Sequence, residues 1–251
     1  MKITFIGHST CIPDVGFEMA CSLIDGKHLI DAGWCGALTM RRYGFDPLDI
    51  QDVLLTHLHQ DHYMGLPGIL FYAGLRGRGD RPPLRVAGPG EYLEQVVSAS
   101  LDFLQIPRFP EIHPGHQLLP LKPGDRFEMG GLQVETFAAR HVSGHDRHEP
   151  ALAYRVTDAA GASVVVSGDT HPHPPLAGFA RGADLLVHDG AHTPARDAAA
   201  VARKAGVGRL LLIHYTQGAA QRILAEAREV FPNTGLAEEG QTIELSRTSP
   251  S

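Results

Sequence analysis

Leu54-Leu55-Thr56-His57-Leu58-His59-Gln60-Asp61-His62 places four potential metal ligands, His57, His59, Asp61 and His62, within six residues, directly behind the apolar run Val53-Leu54-Leu55. On an extended backbone His57 and His59 leave from the same face, because strand side chains alternate with a period of two. Asp61 and His62 follow where the chain must turn, which lets a second pair aim at a neighbouring point. Imidazole and carboxylate both suit zinc and similar borderline metals. The bland alternative is a solvated histidine cluster; the apolar lead-in and the aspartate between histidines speak against it. The stretch reads as the first half of a two-metal site, and the rest of the chain is read for the other half.

A length of 251 residues fits one large α/β domain or two small ones. With 43% hydrophobic and 20% charged residues the chain can bury a sizeable core. The net charge of −6 argues against broad nonspecific nucleic-acid binding, which goes with a basic excess. Cys11, Cys21 and Cys35 are odd in number and lack CxxC spacing, so free thiols are expected and not a disulfide framework or a structural zinc site. No apolar run approaches the ~20 residues of a membrane span, and Met1-Lys2 does not open a signal peptide. A soluble cytoplasmic protein is the expectation.

In order, residues 2–6 read as a strand closed by Gly7. Residues 21–24 and 27–30 read as a hairpin around Asp25-Gly26, a pair that supplies the positive φ angles of a two-residue turn. The second strand runs into Asp31, either a surface turn residue or a partner that fixes the tautomer of a metal-bound histidine. Residues 46–52 suggest a short helix before the strand at Val53, and 63–72 a helix beyond the histidine-rich turn. Residues 75–85 carry Arg76, Arg78, Arg81 and Arg85 among glycine and proline, a loop that is either solvated or binds an anionic substrate. A strand at 85–88 and a helix within 90–104 follow. The second half alternates more clearly: strands at 132–138, 151–156, 163–166, 184–187, 209–213 and 242–245, with helices at 197–205, capped by Gly206, and 219–230. No repeat or linker is visible, so a single domain over 1–251 is favoured.

Three more metal-competent residues stand where such strands end: His141 after Val134-Glu135-Thr136-Phe137, Asp169 after Val164-Val165-Val166, and His214 after Leu210-Leu211-Leu212-Ile213. Catalytic residues of sheet-based folds gather where strands give way to loops. Five histidines and two aspartates would give each of two metals three or four protein ligands and leave room for water.

Here the chain resembles the metallo-β-lactamase superfamily of binuclear hydrolases. His57-Leu58-His59-Gln60-Asp61-His62 matches its HxHxDH signature, and His141, Asp169 in Ser-Gly-Asp-Thr, and His214 match the later ligand positions in order. The resemblance covers nearly the whole chain and implies an α/β fold, a four-layer αββα sandwich with the metals at one edge. It implies that His57, His59 and His141 hold one divalent ion, that Asp61, His62 and His214 hold the other, and that Asp169 bridges them. Zinc (Zn2+) is the usual occupant, with manganese (Mn2+) or iron (Fe) in parts of the superfamily.

Within the superfamily the second half looks most like ribonuclease Z: His141-Val142, Pro150-Ala151-Leu152-Ala153-Tyr154-Arg155, Ser167-Gly168-Asp169-Thr170 and Gly182-Ala183-Asp184-Leu185-Leu186-Val187-His188 share its flavour. His192 matches the position of a proton-donating histidine in those nucleases; the other reading is a surface loop histidine. His188 and Asp189, at a strand end, join Asp31 as candidates for supporting or substrate contacts. Ribonuclease Z enzymes that process tRNA usually carry a long arm between the third histidine and the bridging aspartate. Only residues 142–168 separate His141 from Asp169 here, and the segment between His188 and His192 is also short, which weakens the case for recognition of a whole tRNA body. Gly144-His145-Asp146-Arg147-His148 is instead a candidate pocket wall or a solvated loop.

Two metals about 3.5–4 Å apart can lower the pKa of a shared water enough to supply a bridging hydroxide as nucleophile near pH 7. Asp61 would ligate and orient it, and His192 would protonate the leaving oxygen. The leading expectation is a phosphodiesterase of the ribonuclease Z-like branch acting on a small phosphodiester or an RNA end, with a homodimer suggested by the resemblance. Arylsulfatase, lactonase or β-lactamase activity would use the same ligands. A non-catalytic regulatory member is disfavoured because every ligand position is filled.

Overall fold

Short apolar strands, punctuated by glycine and aspartate turns, build two seven-stranded sheets. The computed structural model describes residues 1–143 and 147–246. In the N-terminal half lie β1 (Lys2–Gly7), β2 (Cys21–Ile24), β3 (His28–Ile30), β4 (Asp52–Leu54), β5 (Leu84–Pro89) and β6 (His116–Leu121). The other half supplies β7 (Arg126–Met129), β8 (Leu132–Ala138), a hairpin of β9 (His141–Ser143) and β10 (Arg147–Glu149), then β11 (Leu152–Thr157), β12 (Ser163–Val166), β13 (Leu185–Asp189), β14 (Arg209–Ile213) and β15 (Thr234–Leu236). The last strand, β16 (Thr242–Glu244), returns to the first sheet, whose order is β16-β1-β2-β3-β4-β5-β6; the second runs β15-β14-β13-β12-β11-β8-β7. The expected hairpin is present: Asp25 (φ 48°) and Gly26 (φ 70°) turn β2 back along β3.

Alternation explains the layering. Val164 and Val166 of β12, Leu185 and Val187 of β13, and Leu211 and Ile213 of β14 face an interior shared with Ile3, Phe5, Ile30 and Leu54 of the other sheet. The residues between them, Val165, Leu186, Leu210 and Leu212, pack outward. There they meet α5 (Leu176–Phe179), α6 (Ala195–Ala205) and α7 (Ala220–Arg228). Val53, Leu55 and Val86 of the first sheet cover α1 (Gly36–Arg42), α3 (Leu66–Arg76) and α4 (Leu93–Phe103), with the single turn α2 (Gln60–Tyr63) ahead of α3. The result is the expected four-layer αββα sandwich.

Several local expectations need correction. Residues 46–52 form only a 3-10 turn, Pro47–Asp49, started by Asp46, whose side chain accepts from the Leu48 N–H. The helix expected at 63–72 is α3, displaced toward the C-terminus and reaching Arg76. Three of the four arginines in the arginine-rich segment are engaged by the protein itself, while Arg76 is exposed. Arg78 is buried and donates to the carbonyls of Pro82 and Ile50, Arg81 pairs with Asp49, and Arg85 pairs with Asp52. In the candidate wall 144–148, residues 144–146 lie outside the described residues and His148 is exposed. Among the described residues no helix is long and apolar enough to cross a membrane.

Candidate metal centre

The HxHxDH motif begins three residues after β4 stops, and both sheets pin the two residues that lead into it. The Leu55 N–H donates to Ala87 O, and the Tyr154 hydroxyl of β11 donates to Leu55 O at 2.7 Å. Leu152 N–H donates to Thr56 O, also at 2.7 Å. Thr56 in turn gives its N–H and its hydroxyl to Asp31, at 2.7 and 2.9 Å. His57 and His59 therefore leave from a bend and not from an extended strand, yet their rings lie 4.7 Å apart. Asp61 and His62 fall in the single turn of α2, which aims them at a second point.

The remaining residues arrive from the ends of the second sheet. Gly168 (φ 59°) turns the chain after β12; a Cβ there would lie 2.7 Å from the Thr56 Cβ, so glycine alone lets Asp169 close on the motif. Asp31 (φ 61°) and His214 (φ 59°) are both held in the left-handed region, where a non-glycine residue costs on the order of 1–3 kcal/mol. Their partners hold them there: Asp31 N–H donates to Leu54 O and His214 N–H to His8 O.

Two groups of ligand atoms form. His57, His59 and His141 make one, with His59 Nδ1 only 3.0 Å from His141 Nε2. Asp61, His62 and His214 make the other. Asp169 lies between them, its oxygens 3.8 Å from His57 Nε2, 3.4 Å from His62 Nε2 and 3.5 Å from His214 Nε2. The Nε2 atoms of His57 and His62 are buried without a hydrogen-bond partner. Such orphaned atoms cost about 1–3 kcal/mol each unless something satisfies them. A divalent cation in each group would do so, and the donor sets, imidazole with carboxylate, are those that zinc and its neighbours accept.

Electrostatics separates the groups. Burial holds His57 well below its usual pKa, with the neighbouring His62, His141 and His59 adding to the effect. Burial also lowers His141 to about 4, against the pull of Asp169. In the second group burial opposes the charged form of His62, but Asp169 and Asp31 outweigh it and raise the pKa well above normal. His214 rises to about 10: burial disfavours its cation, and Asp169, Asp189 and Asp61 prevail. Burial likewise works against the Asp61 carboxylate, yet the neighbouring His214 and His62 keep it far below the usual range. Without metal, protons on His62 and His214 balance the carboxylates.

The supporting candidates divide. Asp31 is buried, and its Oδ2 lies 2.9 Å from His62 Nδ1, which leaves Nε2 for the centre. Asp189 accepts from Thr170 N–H at 2.9 Å and sits 3.0 Å from His192 Nδ1. His192 is 31% exposed at the rim, and its hydrogen bond to Asp189 raises its pKa against the effect of burial. His188 is a correction. It shares a face of β13 with Leu186, opposite Asp189, and its Nδ1 bonds the Asp189 carbonyl, so alternation turns it away from the cluster. His171 was not singled out in the sequence; its half-buried ring stands 6.0 Å from His141 and 5.4 Å from His192. Its only signal is adjacency to Asp169-Thr170.

A model described as a beta-lactamase superfamily domain matches residues 27–215. The chain is 28% identical to ribonuclease Z of Methanothermobacter thermautotrophicus, over 98% of this chain and 97% of that protein. It is also 28% identical to ribonuclease BN of Salmonella paratyphi B, over 94% and 97%. The first alignment runs over 311 positions against 251 residues here, 311 − 251 = 60, so at least sixty positions of the relative meet a gap. Among solved structures, the metallo-beta-lactamase fold protein YhfI of Bacillus subtilis superposes with a TM-score of 0.79 at 21% identity, covering 96% of this chain and 98% of that one. The short form of human tRNase Z gives 0.78 at 20% identity, covering 98% and 100%. This chain belongs to the beta-lactamase superfamily, as a ribonuclease Z-like protein of metallo-β-lactamase fold.

Proposed function

We propose that this protein is a metal-dependent phosphodiesterase that cleaves a small phosphodiester or an RNA end, with zinc in both positions of its centre. The observation that carries this reading is the convergence of His57, His59, His141, Asp61, His62 and His214 on two adjacent points flanking Asp169, with His192 held at the rim by Asp189. Relatives that match nearly the whole chain carry the names ribonuclease Z and ribonuclease BN. The sixty-position deficit against the first of them favours a substrate smaller than a folded RNA.

When bound, two divalent ions would supply Lewis-acid stabilisation of a phosphoryl oxygen and acidify water near pH 7. The chain's own residues do the rest. Asp61, kept ionised by its histidine partners, orients the attacking water. His192 has Nδ1 fixed on Asp189, so its Nε2 is placed to give a proton to the leaving oxygen, and the Asp189 hydrogen bond favours the protonated ring. Thr56 and Asp31 hold the motif and the His62 tautomer.

A panel of chromogenic esters tests this: a bis-aryl phosphodiester, a sulfate ester, a lactone and a β-lactam, each with zinc-loaded and chelator-stripped protein. The expected result is zinc-dependent turnover of the phosphodiester above all others. Faster turnover of another ester, or phosphodiester turnover that survives chelation, would overturn the reading.

A further inference from the structure

His192 stands in the loop between β13 and α6, and Thr170, the residue after Asp169, fixes where that loop sits. Asp189, at the end of β13, accepts from the N–H groups of Ala191 and His192 through Oδ1, at 2.8 and 3.2 Å. Its Oδ2 accepts from the Thr170 N–H at 2.9 Å. On the other side of His192, the Thr193 hydroxyl donates to the Thr170 carbonyl. Both backbone polar groups of Thr170 are therefore taken by the His192 loop, one ahead of the histidine and one just behind it.

Thr170 is tied to the first ligand group as well. Its hydroxyl accepts from the Arg140 N–H at 3.2 Å and donates to His171 O at 3.0 Å. The His171 N–H returns to Arg140 O at 2.7 Å, and Arg140 directly precedes His141. Thr170 and Thr193 are 0% and 2% exposed, so water does not stand in for these bonds. Nor is it close packing that holds the loop. A cavity of about 250 Å³ lies against Thr193, bounded also by Pro172, Ala177 and Val201, and gives the loop room to move. The hydroxyl thus fixes His192 relative to Asp169, whose Oδ2 lies 3.6 Å from His192 Nδ1.

We propose that Thr193 is a positioning residue: its hydroxyl clamps the His192 loop onto the backbone beside Asp169 and so aligns the proton donor with the metal centre. The inference rests on the phosphodiesterase reading with His192 as donor, and adds the group that holds that donor in place. Thr193 is buried and acts only through His192. A misplacement of about 1 Å in a catalytic group can cost about 10²-fold in rate. Help from a general acid matters more as the leaving oxygen becomes more basic. Loss of the hydroxyl therefore shows on poor leaving groups and spares good ones.

Thr193→Val keeps the volume and removes the hydroxyl. In zinc-loaded protein its kcat on methyl phenyl phosphate should fall about 10–100-fold, and on methyl p-nitrophenyl phosphate less than about threefold. KM, bound zinc and circular dichroism should stay at wild-type values, and Thr193→Ser should restore the lost rate. Should valine prevent folding, Thr193→Cys, a weak donor of similar size, carries the same expectation. Equal losses on the two esters, no loss on either, loss of bound zinc, or a serine variant no better than valine would overturn the proposal. The ¹⁵N ring signals of His192 read the clamp without substrate: one sharp set in the wild type, shifted and broadened in Thr193→Val. Identical signals in both proteins would overturn it too. If the wild type hydrolyses neither ester, the phosphodiesterase reading fails, and the ring signals alone decide the clamp.

Discussion

The two ligand groups differ in what surrounds them more than in what composes them. His57, His59 and His141 lean on one another, and burial keeps His57 and His141 neutral and ready to ligate. Asp61, His62 and His214 are wrapped by Asp31, Asp169 and Asp189, and protons on His62 and His214 balance those carboxylates. A cation entering the first group meets the unbonded His57 Nε2 and must part His59 Nδ1 from His141 Nε2; one entering the second must displace the protons that His62 and His214 carry against the carboxylates. The difference teaches that a centre built from histidine and aspartate can hold two positions of unlike pH response, set by the carboxylates that surround the second.

The shared residue should break the comparison most severely. Asp169→Ala removes the group common to both positions, and hydrolysis should fall by about 10³-fold or more while circular dichroism is retained. Residual activity near wild type would show that the two groups work independently. His192→Ala tests the rim of the second group: kcat should drop by about 10²–10⁴ for an alkyl leaving group, and much less for p-nitrophenolate, which needs no proton. Asp31→Asn acts on the second group through His62, besides loosening Thr56 beside His57, and should weaken metal affinity by about 10–100-fold, read by competition with a zinc-sensitive dye.

Stability against pH separates the groups in another way. His214 has its pKa raised from 6.5 to about 10 in the metal-free fold, so the stability it contributes is complete below about pH 6.5 and is lost as pH rises through about 10. Metal-stripped protein should therefore lose midpoint stability in urea between those values, and zinc-loaded protein, whose His214 is neutral, should lack that loss. The smallest effect belongs to the scaffold common to both groups. Tyr154→Phe leaves Leu55 O without its donor and should cost about 1–3 kcal/mol in urea unfolding.

Much of this was legible in the sequence. The HxHxDH spacing and the three ligands at strand ends located the centre because a period-two strand delivers its last residue to a sheet edge. Asp31 was readable as a partner to a ligand, and its carboxylate lies against His62 Nδ1. His188 misled for a physical reason present in the sequence itself: it is adjacent to Asp189 in β13, so only one of the two can face the centre, and the apolar Leu185 and Val187 lie on Asp189's side. Strands β6, β7 and β15 went unread since their burial is partial and mixed, with no clean alternation. The arginines of the 75–85 segment read as either solvated or anion-binding because their partners, Asp49, Asp52 and the Ile50 carbonyl, lie some thirty residues away in sequence.

The central claim is two adjacent metal positions with unlike proton balance. Calorimetric titration of metal-stripped protein with zinc at pH 7, in buffers of different ionisation enthalpy and with bound metal assayed, tests it most directly. Two ions per chain are predicted, with proton release accompanying the position formed by Asp61, His62 and His214 and little accompanying the other. One ion per chain, or equal proton release for both ions, would contradict it.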